Sequence, residues 1–329
     1  MVTGEKTILD LGGKRRTQKM MSPCWLKSTR TDRKRIHVTG LGDVGGTLLI
    51  GLALAGGEDV EEIGIYDLNA KQCRRWEIEL SQVRDPLGSR RIPPVRTIRE
   101  DELFACDVFV FCVALAVPAV GKETGDVRMA QFAANRKIVE QYARRASEAG
   151  FRGLFAVVSD PVDLLCKAAY LAGNEAGNGL LPEQIQGCGL GVMHARASYY
   201  AEREPEFARF LSEGRVFGPH GRDLVVADSI GNYHEERSLR LTELTVKANL
   251  TVRGLGFKPY IAPALSSAAL TILRIIEGEW NYSANYLGNV YFGGRNRTTR
   301  EGIEWEVLPL PPILFKRLQS AYENLEMIL

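Results

Sequence analysis

The chain has 329 residues, 45% of them hydrophobic and 25% charged, with a formal net charge of only +2. These values are typical of a globular protein with room for two domains. A net charge this small gives no reason to expect nucleic acid or an anionic membrane as a partner. Because no apolar run approaches the roughly 20 residues that span a bilayer, and six scattered cysteines lack a Cys-x-x-Cys pair, we expect a cytoplasmic protein with free thiols and no membrane partner.

The first 34 residues are basic and irregular, and no apolar stretch follows them that would make a signal peptide. A basic arm of this kind either binds an anionic surface or stays solvated. Charge runs are usually solvated, so residues 1–34 predict a flexible N-terminal extension without a nucleic-acid partner.

From residue 35 onward, short apolar runs alternate with segments of helical period. Nearly continuous apolar strands are typical of a parallel sheet that helices cover on both faces. Alternation of strand and helix with short connections indicates a doubly wound α/β domain, which we place at residues 35–160. The predicted strands span residues 36–40, 62–67, 107–113 and 153–159, with a helix before the last of them.

The second half, residues 161–329, has a mixed character that predicts an α+β domain packed on the first. No linker rich in Pro, Gly or Ser separates the two halves. The predicted helices span residues 195–214, 263–278 and 313–329, and the predicted short strands or turns span residues 215–220, 222–229 and 304–310.

A glycine-rich turn follows the first predicted strand directly, and an apolar helical stretch follows the turn. In a G-x-G-x-x-G turn the first glycine permits the tight turn, the second lets the backbone approach a pyrophosphate, and the third lets helix and strand pack closely. The helix N-terminus adds free N–H groups for the phosphates. We therefore predict a Rossmann-type domain that binds a dinucleotide through Gly40, Gly42, Asp43, Val44 and Gly45.

The second predicted strand ends at Asp67, about 22 residues after Gly45. A carboxylate at this point can bind both ribose hydroxyls, and it would repel a 2′-phosphate. The strand end therefore predicts NAD rather than NADP as the cofactor. The alternative, a glycine turn with a chance aspartate, requires several independent coincidences.

From residue 35 to the C-terminus, the motifs resemble those of the lactate/malate dehydrogenase family and occur in the family's order. GDVR at 125–128 resembles its mobile active-site loop, and SDPVD at 159–163 resembles its Asn-Pro-x-Asp turn. MHAR at 193–196 and GPHG at 218–221 resemble the segments with its substrate-binding arginine and its catalytic histidine. The resemblance implies a homodimeric or homotetrameric oxidoreductase that transfers a hydride between NAD and a small 2-hydroxy or 2-oxo acid.

The resemblance also implies roles for individual side chains. His220 would donate and accept the proton, Arg128 would polarise the substrate carbonyl, and Arg196 would bind the substrate carboxylate through a two-pronged contact. Asn135 and Lys122 would also bind substrate. A cation at Lys122 would favour a second anionic group, as in oxaloacetate, over the methyl group of pyruvate, although a solvated loop lysine is the alternative.

Three positions depart from the family pattern: Met193 replaces an aspartate that orients the catalytic histidine, Asp160 replaces an asparagine, and Pro259 occupies the expected position of a threonine. Two interpretations follow. Either Asp160 takes over as the carboxylate partner of His220 and catalysis persists, or the chain is an NAD-binding protein with a regulatory role and no hydride transfer. The first is favoured because His220 and both arginines remain.

A third interpretation is an NAD-dependent glycosidase, since those enzymes share the expected fold and hold a metal with cysteine and histidine ligands. Cys188 and His194 lie close together in the sequence and make such a site conceivable. The GPHG and GDVR motifs fit the dehydrogenases better, so no metal site is predicted.

Overall fold

The computed structural model describes residues 5–13, 33–115, 127–177 and 179–329, with the backbone alone at residues 127 and 128. The strands are β1 (Lys34–Thr39), β2 (Val60–Tyr66), β3 (Val95–Thr97), β4 (Val108–Phe111), β5 (Leu154–Val157), β6 (Ile185–Gly187), β7 (Arg215–Phe217), β8 (Val225–Ala227), β9 (Asn281–Leu287), β10 (Val290–Thr299) and β11 (Gly302–Trp305). The helices are α1 (Asp43–Ala55), α2 (Ala70–Ser81), α3 (Val127–Glu148), α4 (Val162–Gly173), α5 (Leu190–Ala201), α6 (Phe210–Glu213), α7 (Glu235–Gly254), α8 (Leu270–Glu277) and α9 (Pro312–Glu326). Within these ranges, no helix combines the length and the apolar character that crossing a bilayer requires.

A nine-stranded sheet with the order β11-β10-β9-β6-β5-β4-β1-β2-β3 forms the centre of the molecule. Six neighbouring strands in this order, β6-β5-β4-β1-β2-β3, are parallel to one another. The strands β9, β10 and β11 continue the sheet in antiparallel fashion. The parallel part has the order of a doubly wound nucleotide-binding domain, in which the connections reverse direction between β1 and β4 and leave a crevice at their carboxyl ends. The predicted fold class is confirmed.

The second half of the chain extends the sheet and adds a smaller lobe. The hairpin of β7 and β8 packs with α5 and α7 around a separate apolar core that includes Leu190, Val192 and Val226. Because β6 belongs to the parallel sheet and pairs with β9, the sheet runs past residue 160 without a break. The division into residues 35–160 and 161–329 therefore stays a prediction.

Residues 5–13 differ from the flexible extension that the charge pattern predicts. Ile8 and Leu11 are only 2% and 3% exposed and pack in the main core, which also contains side chains of α9. The N–H of Leu310 donates a hydrogen bond to the carbonyl of Lys6, at 2.8 Å. The two apolar side chains and this hydrogen bond connect the stretch to the rest of the fold, whereas the basic residues 14–32 lie outside the described part.

Candidate active site

A cleft of about 1410 Å³ opens at the crevice in the sheet, and both halves of the chain line it. The nucleotide-binding half contributes the glycine turn, the end of β2 and one face of α3. The second half contributes α5, the end of α7 and the segment after α7. The predicted site residues that line the cleft are Gly40, Gly42, Asp43, Val44, Gly45, Asp67, Asp160, Arg196 and His220.

Packing requires glycine at two positions of the turn and leaves the third position open. Gly40 has φ +87°, and a Cβ there would lie 2.7 Å from the backbone of Cys112. A Cβ on Gly45 would lie 1.9 Å from the carbonyl oxygen of Gly40, so only glycine fits. A Cβ on Gly42 would meet no described atom within 4 Å. The turn therefore keeps free space where a pyrophosphate would approach the backbone.

The N-terminus of α1 faces this free space. Gly42 precedes the helix and supplies no side-chain cap, and within the described residues no other side-chain cap is seen there. Backbone N–H groups of the first turn are thus available to phosphate oxygens. Asp43 carries a negative charge at this position, and Lys258 from the segment after α7 pairs with it at 2.8 Å. The lysine offsets a charge that would otherwise oppose a phosphate.

The carboxylate of Asp67 is held in place at the end of β2. Its Oδ2 accepts a hydrogen bond from the N–H of Leu41, and its Oδ1 accepts one from the N–H of Asn69, both at 2.8 Å. Each carboxylate oxygen can accept a second hydrogen bond, and the side chain lines the cleft. Asp67 therefore fits the ribose of a bound dinucleotide.

His220 follows β7 through Gly218, and one hydrogen bond fixes its backbone and another its ring. Its backbone N–H donates to Oδ2 of Asp163 at 2.9 Å, and its ring Nδ1 lies 2.8 Å from the carbonyl oxygen of Gly189. A carbonyl oxygen only accepts, so Nδ1 carries a proton, and the neutral ring has its lone pair on Nε2. Nε2 lies 3.8 Å from Oδ1 of Asp160, beside the cleft.

The Gly189 carbonyl is itself held by a side chain from the second half. Ser267 donates its hydroxyl to this oxygen at 2.6 Å and accepts from the N–H of Val192 at 2.7 Å. A Cβ on Gly189 would lie 3.1 Å from that of His220, so the backbone passes close to the ring. Sequence reasoning missed this contact, because a main-chain carbonyl leaves no signal in the residue pattern.

The predicted replacement of the family aspartate by Asp160 needs a correction. Asp160 lies beside Nε2, whereas the other nitrogen, Nδ1, is bound by Gly189. The distance of 3.8 Å is also too long for a hydrogen bond. Asp160 thus stands on the cleft side of the imidazole and does not hold the back of the ring.

Arg196 lies near two of the residues that depart from the family pattern, Met193 and Asp160. Its Nη1 is 3.7 Å from Sδ of Met193, whose side chain is buried. Burial lowers the pKa of Arg196, while the nearby Asp160 carboxylate acts in the opposite direction. A guanidinium that lines the cleft and is partly removed from water can bind a ligand carboxylate strongly.

Asn135, another predicted substrate residue, is not among the residues that line the cleft. Asn135 is 2% exposed; its Nδ2 donates to the Asp160 carbonyl at 2.8 Å, and its Oδ1 accepts from the N–H of Leu115 at 2.9 Å. Asn135 therefore joins two loops behind the cleft, and its contact with substrate stays a prediction. Lys122 and the side chain of Arg128 lie outside the described residues.

The cleft also contains residues that sequence reasoning did not select, namely Asn249 on α7 and Lys258 and Tyr260 after it. Pro259, the expected threonine position, lines the cleft with them. The conceivable metal ligands lie elsewhere: Cys188 is buried in the core, and the His194 ring stacks on Tyr282 at 4.5 Å. Across the described ranges, no group of three or more Cys, His, Asp or Glu side chains could hold a metal ion.

Comparison with known proteins agrees with this architecture. Residues 34–180 match the family model described as lactate/malate dehydrogenase, NAD binding domain. An L-lactate dehydrogenase of Treponema denticola is 28% identical over 190 residues, which cover 57% of this chain and 55% of that protein. A malate dehydrogenase of Sorangium cellulosum is 24% identical over 308 residues, with 85% and 91% covered. The chain thus spans about half the length of the curated lactate dehydrogenase, and most of the malate dehydrogenase.

The whole fold also has a solved counterpart. The structure of a minor L-lactate dehydrogenase from Enterococcus mundtii superposes with a TM-score of 0.71 at 18% identity, covering 91% of this chain and 98% of that one. The glycine turn, the open position at Gly42 and the fixed carboxylate of Asp67 fit NAD, the cofactor that the matched family model names. Residues 34–180 therefore match the NAD-binding domain of the lactate/malate dehydrogenase family, the chain has the fold of these solved dehydrogenases, and its cofactor is NAD.

Proposed function

We propose that the protein transfers a hydride between NAD and a small 2-hydroxy or 2-oxo acid of the lactate or malate type. The observation that carries this proposal is the orientation of His220. Its Nδ1 is held by the Gly189 carbonyl, and its Nε2 lies beside the cleft that Arg196 and the glycine turn also line.

These side chains suit the chemistry of the reaction. NAD accepts or supplies the hydride. When a ketone is reduced, negative charge develops on its oxygen, and an imidazolium with Nε2–H can protonate it; in the reverse direction, the lone pair on Nε2 accepts the proton of the hydroxyl. Arg196 would bind the substrate carboxylate through two parallel hydrogen bonds and so hold the acid in the cleft that His220 also lines.

The remaining parts of the proposal rest on the family resemblance. Arg128 polarises the carbonyl, Lys122 influences the choice of substrate, and the enzyme assembles as a dimer or tetramer in the cytoplasm. The binding partner that we propose besides NAD is the small acid. Each of these statements remains a prediction.

One observation favours the alternative of an NAD-binding protein without turnover. The residue that orients His220 is a neutral carbonyl, and Met193 occupies the position of the family aspartate. A carbonyl fixes the tautomer, but it gives an imidazolium less electrostatic stabilisation than a carboxylate gives.

The two alternatives are separated by assaying a panel of 2-oxo acids with NADH, with His220→Gln as the matched variant. We expect turnover of at least one acid and a loss of about 100-fold or more in the variant, since a positioned acid or base contributes that much. NADH affinity should be the same in both proteins. If the protein binds NADH but reduces none of the acids, the alternative replaces the proposal. If His220→Gln retains full turnover, another group donates the proton.

A further inference from the structure

The carboxylate of Asp160 faces the substrate side of His220. Its Oδ1 lies 3.8 Å from Nε2, and its side chain is 54% exposed and lines the cleft. Its backbone is fixed because Asn135, buried behind it, donates a hydrogen bond to its carbonyl. A ligand group that approaches Nε2 therefore also meets a carboxylate.

This arrangement distinguishes between the two redox forms of a substrate. A carboxylate only accepts hydrogen bonds, and so does a ketone oxygen, so the two oxygens repel when they are neighbours. A hydroxyl group has one proton and two lone pairs, and it can donate to Asp160 while it contacts Nε2. The neighbourhood of His220 is thus complementary to an alcohol.

The hydrogen bond between Nδ1 and the Gly189 carbonyl also favours an alcohol as the ligand. Because the Gly189 carbonyl keeps the proton on Nδ1, the neutral ring presents a lone pair at Nε2. That lone pair can take the proton of an alcohol, and the imidazolium that forms lies next to the negative charge of Asp160.

We propose that the cleft selects a 2-hydroxy acid over the corresponding 2-oxo acid and that Asp160 is the residue responsible. The O–H bond breaks with its proton passing to Nε2, the C2–H electron pair leaves as hydride to the oxidised cofactor, and the C=O double bond forms. Arg196 holds the carboxylate of the acid. This inference rests on the proposed function and adds the redox form that the site recognises.

The test measures binding without turnover. Each acid is titrated into the protein loaded with tetrahydro-NAD, a reduced-cofactor analogue that cannot give up a hydride. The ligand pairs are L-lactate with pyruvate and L-malate with oxaloacetate, and calorimetry gives the Kd of each. We expect the protein to bind the hydroxy acid of one pair more tightly. Asp160→Asn, which restores an amide N–H donor, should shift the ratio of the two Kd values by about tenfold or more toward the oxo acid.

Glu301→Gln serves as the matched control, because it also removes one negative charge, in an exposed turn outside the residues that line the cleft. It should leave the ratio unchanged. If Asp160→Asn leaves the ratio unchanged while both acids bind, the inference is wrong and the proposed function stands. If neither protein binds any of the four acids, the proposed function fails and the inference fails with it.

Discussion

Two alanine substitutions in the glycine turn should separate its structural role from its cofactor role. In Gly45→Ala, the new Cβ would lie 1.9 Å from the carbonyl oxygen of Gly40, which belongs to the backbone and cannot swing aside. In Gly42→Ala, the new Cβ would meet no described atom within 4 Å, and the backbone at φ −73° and ψ −161° suits any residue. The two variants add the same methyl group three residues apart.

The expected magnitudes follow from these distances. Relief of the 1.9 Å contact must displace the helix from the strand, so Gly45→Ala should lower the free energy of unfolding by about 3 kcal/mol or more. Gly42→Ala should change it by less than about 1 kcal/mol, because nothing is displaced. Since its methyl group occupies the space through which a pyrophosphate reaches the backbone, Gly42→Ala should weaken NADH binding by more than about tenfold.

Urea unfolding gives the stability of each variant, and calorimetric titration with NADH gives its affinity. The decisive protein is Gly42→Ala, because we expect it to fold normally and therefore to isolate the binding effect. Wild-type NADH affinity in that variant would refute the assignment of the free space to the pyrophosphate. Wild-type stability in Gly45→Ala would refute the packing argument.

The remaining predictions concern specificity, substrate binding and pH. Asp67→Ser removes a charge whose repulsion of a nearby phosphate is about 1–4 kcal/mol per unit charge at 4 Å, so NADPH should gain at least about tenfold in affinity relative to NADH; an unchanged ratio would contradict the role of Asp67. Arg196→Leu should lower kcat/KM by about 100-fold or more without changing the Kd of NADH, because a charged two-pronged contact is lost; wild-type kinetics would return Arg196 to a structural role. Burial lowers the pKa of His194 to about 4, so the fold keeps it neutral while the unfolded chain takes up a proton below its ordinary pKa of 6.5. Stability should therefore fall by up to about 3 kcal/mol as the pH drops from 6.5 to 4, and His194→Phe should remove that part of the slope in urea unfolding at each pH.

Four of the six parallel strands could be predicted because their signals are local, whereas β3 and β6, of only three residues each, were missed. The apolar runs at residues 36–40, 62–67, 107–113 and 153–159 each overlap a strand of the sheet, and the glycine turn lies between β1 and α1. The hairpin of β9 and β10 was missed, since its strands mix polar and apolar residues whose burial depends on the packing of α8 and α9.

The sequence could predict the site residues that act through their side chains. It could not predict the contacts that backbone groups make. The sequence identified Asp67, Arg196 and His220, all of which line one cleft. It could not identify the Gly189 carbonyl, and it did not say which nitrogen of the imidazole Asp160 would face. A pattern of residues says which groups are near one another, but not which nitrogen of a ring each of them faces.

The most direct test of the account is transfer of a labelled hydride. The protein is incubated with NADH deuterated at the transferring carbon and with a panel of 2-oxo acids, and the products are analysed by mass spectrometry. The account predicts deuterium at C2 of at least one 2-hydroxy acid product, and incorporation slower by about 100-fold or more with the His220→Gln variant. If that NADH binds and no acid acquires deuterium, the protein is not a 2-hydroxy acid dehydrogenase.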